Sequence, residues 1–114
     1  MLAGDLVLAT QYKYSVAWSA EDDEFVATVA EFPSLSWLAE PQQAALTGIR
    51  DLVQNTVADL YKSGEEVPLP FALREYSGNI RLRVSPQKHR ALSIKASERT
   101  VSLNRYLNEL LSGL

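Results

Sequence analysis

Gly78-Asn79-Ile80-Arg81-Leu82-Arg83-Val84-Ser85-Pro86 decides how this chain is read. Ile80, Leu82 and Val84 alternate with Asn79, Arg81 and Arg83, so a strand here turns apolar side chains to one face and Asn and Arg to the other. Ser85-Pro86 is a helix start, a hydroxyl cap followed by proline where its missing N–H costs nothing. The helix is expected to run to about Ser97 and to turn at Glu98-Arg99-Thr100. Ser102 then caps a second helix, with Val101 and Tyr106 spaced as a hydrophobic staple. Leu103, Tyr106, Leu107, Leu110, Leu111 and Leu114 make an apolar stripe at helical spacing, ended by Gly113.

So small a strand-helix-helix module cannot close a core alone, and a second copy is required. Two chains pairing residues 79–84 antiparallel would bury Ile80, Leu82, Val84, Leu103, Tyr106, Leu107 and Leu110 in a shared core. The other face of that ribbon would project two sets of Asn79, Arg81 and Arg83. A two-stranded ribbon fits the major groove, where Arg holds guanine and Asn holds adenine. The second helix starts at Ser102, Leu103 and Asn104, whose free N–H groups suit a phosphate. Arg81 and Arg83 have a plainer reading as charges that protect an edge strand. The stripe has one too, as an isolated partner-binding helix.

Charge is divided to match. From Gly78 onward seven Lys/Arg stand against Glu98 and Glu109, a net of +5, whereas residues 1–77 carry four basic and twelve acidic side chains, a net of −8. Two opposite halves point to two different partners, one of them nucleic acid. The chain has 114 residues, 46% of them hydrophobic, enough for one small domain or two very small ones. It has no cysteine, which excludes disulfides and thiolate metal sites and fits a reducing cytoplasm. Residues 1–9 make a poor signal peptide, and no apolar run nears the roughly 20 residues of a membrane span. No cofactor or metal is expected.

Upstream, Tyr14, Val16 and Trp18 alternate along one strand, residues 20–24 form a polar turn, and residues 25–29 return as a second strand. Phe32-Pro33-Ser34 interrupts, and residues 35–38 supply a third. Glu40 is placed as N-cap and Pro41 in the first turn of a helix carrying Ala45, Ile49, Leu52, Val53, Val57 and Leu60 through Lys62, with Gly64 as its stop. Residues 63–78 read as a connector, with a short strand near residues 67–69. The fold expected is α+β: a three- to four-stranded sheet covered by one helix, then the strand-helix-helix module. The boundaries are residues 1–70, a linker at 71–78, and 79–114.

The strand and two capped helices resemble the ribbon-helix-helix repressors. Residues 78–86 with His89, Leu92, Ala96 and Ser102-Leu103-Asn104 are similar to the C-terminal part of HicB-family antitoxins. Residues 18–29, then Glu31-Phe32-Pro33-Ser34-Leu35-Ser36 and residues 41–45, resemble the N-terminal domain of that family, a degenerate, partial RNase H-like fold. The resemblance covers roughly residues 12–112 in one order. It implies a non-enzymatic type II antitoxin and autorepressor in the cytoplasm. The N-terminal domain would block a small HicA-type RNA-cleaving toxin, and the C-terminal domain would bind operator DNA as a homodimer, with assembly to a higher oligomer left open. A −8 domain is a suitable competitor for a basic, RNA-gripping toxin, with Glu21, Asp22, Asp23, Glu24 and Glu31 as the expected contacts. In the family a Gly/Asp/Thr-type turn often precedes the helix; here Trp37-Leu38-Ala39-Glu40 stands there.

Two other functions compete. One is a stand-alone ribbon-helix-helix regulator whose N-terminal domain senses another partner or ligand. The other is a residual nuclease using carboxylates of the first half. Four acids at a hairpin tip splay outward rather than converge, which favours a solvated turn or partner contact over catalysis. His89, the only histidine, lacks a Cys or acid partner and is read as packing or capping. Trp37 is read as core before partner anchor.

Overall fold

The computed structural model describes residues 9–114, so the signal-peptide reading of the N-terminus falls, up to residue 8, outside the described residues. The chain divides into a first unit ending at Tyr76 and a second from Ser77 to Leu114. It is α+β, with one three-stranded antiparallel sheet among the described residues.

In the first unit, β1 (Tyr14–Ser19), β2 (Glu24–Val29) and β3 (Ser36–Ala39) lie in sequence order. Residues 20–23 close the first hairpin. Asp23 takes the left-handed region at φ 55°, and the Ser19 hydroxyl donates to Asp22 Oδ2 (2.8 Å). Pro33 suits the second position of the next turn, where Leu35 N–H donates to Phe32 O at 3.0 Å. Register places Tyr14, Val16, Trp18, Val29, Ala27, Phe25, Trp37 and Ala39 on one face.

That face is covered by helix α1 (Gln42–Lys62). Ala45, Ile49, Val53 and Val57 recur every four residues and are fully buried against Ala27 and Val29. Tyr12 meets Phe32 edge to face at the end of this core, 5.2 Å between rings. The helix start differs from expectation: Pro41 itself is the N-cap, with extended ψ of 133°, and Glu40 lies outside. Proline's fixed φ is as compatible with that position as with the first turn. At the other end Gly64, at φ +69°, lets Gly64 N–H reach Tyr61 O and Glu65 N–H reach Leu60 O. These two bonds make a Schellman stop.

Gly48 sits in mid-helix because Trp37 lies across it. A Cβ there would fall 2.1 Å from Trp37 Nε1. Trp37 thus belongs to the helix-facing side, though 44% of it stays exposed. Alanine gains about 1 kcal/mol of helix propensity over glycine, but overpacking costs about 1–3 kcal/mol. Gly48→Ala is therefore expected to lose about 1 kcal/mol net in urea unfolding. In a Trp37→Ala background the same substitution stabilises.

Residues 63–76 are not a free connector. No strand forms at 67–69. Instead Tyr12 OH donates to Pro68 O (2.7 Å), Pro70 is buried, and Phe71 N–H donates to Glu31 Oε2 (2.9 Å). A 3-10 turn (Phe71–Leu73) follows, with the Arg74 guanidinium 3.9 Å over the Phe71 ring. Most of the stretch expected as linker thus belongs to the first unit.

In the second unit, α2 (Pro86–Glu98) begins as expected, with Ser85 Oγ accepting from Lys88 N–H. It closes in a second Schellman pair, Thr100 N–H to Ser97 O and Val101 N–H to Ala96 O. Here a β-branched residue, Thr100, holds the left-handed position at φ 59°, a conformation that costs it energy. α3 (Leu103–Leu110) is capped by Ser102 Oγ, which accepts from Arg105 N–H. It ends before the expected Gly113, because the hydroxyl and N–H of Ser112 both turn back to Glu109 O. Glu109 bridges Arg99 at 3.0 Å and Arg105 at 3.7 Å across the α2–α3 corner. Residues 79–84 pair with nothing in the single chain and are not a strand.

Candidate nucleic-acid and protein interfaces

A strand is a cooperative product of pairing, and one chain has only one copy of residues 79–84. Left unpaired, Ile80 is 86% and Leu82 69% exposed, beside exposed Asn79, Arg81 and Arg83. Isolated apolar side chains on a surface are ordinary, but consecutive alternate ones ahead of two capped helices form an exposed apolar patch.

The helices show where cover would fit. Leu82, Val84, Leu103 and Leu107 line one recess of about 340 Å³ with Arg83, His89 and Leu92. Tyr106 and Leu110 line a second, of about 290 Å³, with Lys88, Ala91, Leu92 and Lys95. The expected dimer residues are therefore brought to two recesses that share Leu92, and Ile80 lines neither. His89 lines the first recess and is exposed in the single chain. Arg83 borders it as well, since residues outside a ladder are not held to alternate faces. Sequence reasoning left Lys88, Ala91 and Lys95 out of the apolar site. The i, i+3, i+4, i+7 spacing of Lys88, Ala91, Leu92 and Lys95 was the available signal.

Ser102, Leu103 and Asn104 stand at the start of α3 as expected, with the Ser102 hydroxyl already engaged by its own helix. The positive charge of this unit is spread over exposed Lys88, Arg90, Lys95, Arg99 and Arg105 besides Arg81 and Arg83.

In the first unit, Glu21, Asp22 and Asp23 are exposed at the hairpin tip and Glu24 is half-buried at the start of β2. Glu31 is set differently from these four. It is 8% exposed, and its carboxylate accepts from Lys13 N–H (3.0 Å to Oε1) and from Phe71 N–H. It ties two distant segments of the first unit together. Its charge is the second cause, after burial, that pushes the Tyr12 phenol up to about 12. Burial also raises the Tyr14 phenol, against the Arg50 charge that lowers it. Among the described residues no group of three or more His, Asp or Glu is placed to hold a metal ion. No described helix is long and apolar enough to cross a membrane.

The family model for the HicB family matches residues 61–111, from the last turn of α1 through α3. This supports a HicB-type antitoxin and, with it, a toxin as the kind of partner. The match does not extend to the sheet of the first unit. No curated protein and no solved structure matches the chain.

Proposed function

We propose that the chain is a non-enzymatic antitoxin that neutralises a HicA-type RNA-cleaving toxin through its first unit and represses its own operon through its second. The second unit acts as a homodimer of ribbon-helix-helix type, and the first derives from an RNase H-like fold. The observation that carries this is the unpaired stretch 79–84, whose Ile80 and Leu82 stand in solvent ahead of two helices with their caps already formed. Two such stretches, paired antiparallel, satisfy each other's backbone N–H and C=O groups and close the recess lined by Leu82, Val84, Leu103 and Leu107. Pairing also restores alternation, which sends Asn79, Arg81 and Arg83 of both copies outward into a major groove. The N–H groups at Ser102, Leu103 and Asn104 then meet the flanking phosphates.

Arg81→Ala and Arg83→Ala are each expected to cost about 1–3 kcal/mol on the operator while the dimer persists. Fluorescence anisotropy on the promoter upstream of the gene reads the first, light scattering the second. Unchanged affinity in both variants removes the ribbon as the reader.

The confinement of the family match to residues 61–111 favours one second reading, a DNA-binding regulator whose first unit answers to some other partner. Co-purification with the product of a neighbouring small basic reading frame separates the two.

A further inference from the structure

Helix α1 covers one side of the sheet and leaves the other bare. Register brings Ser15, Thr28 and Ser36 into one row across that bare side, and Ala17, Val26 and Leu38 into the next. The row beyond pairs Ser19 with Glu24. Five of these first six residues are exposed and Val26 is half-buried, so no other described part of the first unit lies over them. A solvated sheet face ordinarily alternates to polar side chains. Here its centre is a continuous apolar band across all three strands, with hydroxyls on one flank and a carboxylate on the other.

We infer that this open face, centred on Ala17, Val26 and Leu38, is the surface on which the first unit takes its protein partner, a basic toxin. The inference rests on the antitoxin reading and adds the place of contact. Charge selects the occupant. Glu24 shares the face with Val26, and Glu21, Asp22 and Asp23 extend the same hairpin beyond it. Residues 1–77 carry a net of −8. A second copy of this unit would bring like charge to like, which costs energy at close range. A partner with apolar side chains ringed by Lys or Arg gains at both the centre and the rim.

The test titrates the full chain with the product of any small basic reading frame found beside its gene, followed by calorimetry. Ala17→Arg puts a long cation into the centre of the face and is expected to weaken binding about 30-fold or more. Leu38→Ser, on the opposite edge strand, is expected to weaken it by about 5-fold or more. Asn55→Arg, exposed on α1, is expected to stay within about 3-fold. Circular dichroism checks the fold, and Leu38→Ser carries the test alone if Ala17→Arg misfolds. Wild-type binding in both face variants would overturn the inference and leave the antitoxin reading standing. A fall in the mass of the free chain with Ala17→Arg would also overturn it, because the face would then join two copies. Absence of any complex with the wild-type chain would remove the antitoxin reading itself, and this inference with it.

Discussion

Leu82→Asp is expected to separate the homodimer proposed for the second unit and to reduce affinity for the proposed operator by at least about 100-fold. Leu82 is 69% exposed in the single chain, so an aspartate there costs the isolated protomer little. In a paired ribbon the same position faces the shared core. Two carboxylates, one from each copy, would then be buried without partners, a cost of several kcal/mol each unless they take up protons. On that reading operator affinity is lost together with the dimer, because each copy would supply only half of the groove-facing side chains. Light scattering reads the halved mass and anisotropy the lost binding. The first unit, whose core lies within residues 12–71, is expected to keep its own structure and, on the proposed reading, its toxin affinity. A variant that stays dimeric and bound to DNA would show that residues 79–84 do not form the dimer core.

What could be read in the residues, and what could not, divides by the range of the interaction. The β1–β2 hairpin follows from period-two alternation on either side of an acidic turn, and Asp23 in the left-handed region is the local chemistry such a turn invites. Helix α1 follows from Ala45, Ile49, Val53 and Val57, because burial every four residues is visible in one short window. The two serine caps are local as well. By contrast, Gly48 as the seat of Trp37 and Glu31 as the anchor of Phe71 join residues far apart in sequence. A glycine inside a helical pattern signals a close approach without naming what approaches. An acid between two strands looks like any other surface charge until its partners are placed. Residues 79–84 illustrate a further limit: alternation predicts a strand, but a strand needs a neighbour, and in one copy none is present. The two serine caps, by contrast, need no second copy and are formed in the single chain.

Glu31→Ala is expected to be the most destabilising change of an acidic residue in the first unit, at about 2–4 kcal/mol. The carboxylate accepts two backbone N–H groups, Lys13 at 3.0 Å and Phe71 at 2.9 Å, from segments separated by most of the unit. Alanine leaves both donors without partners, each at a cost of about 1–3 kcal/mol, less where water can enter. Glu31→Gln keeps one good acceptor and is expected to lose about half as much. Glu21→Ala, at the exposed hairpin tip, is expected to stay within about 0.5 kcal/mol of wild type and to act on partner binding instead. Urea unfolding at neutral pH ranks the three; equal stabilities for Glu31→Ala and Glu21→Ala would return Glu31 to the surface acids. Alkaline titration supplies an independent readout of the same clasp. The folded Tyr12 phenol titrates near 12 against an ordinary 10.0, so the folded state holds its proton more tightly than the unfolded chain. That stability is complete below pH 10, declines as pH rises, and is gone above about 12. Tyr12→Phe removes this contribution along with the bond to Pro68 O. Glu31→Ala removes the nearby charge and is expected to narrow the window from its upper end, because burial alone then holds the phenol up.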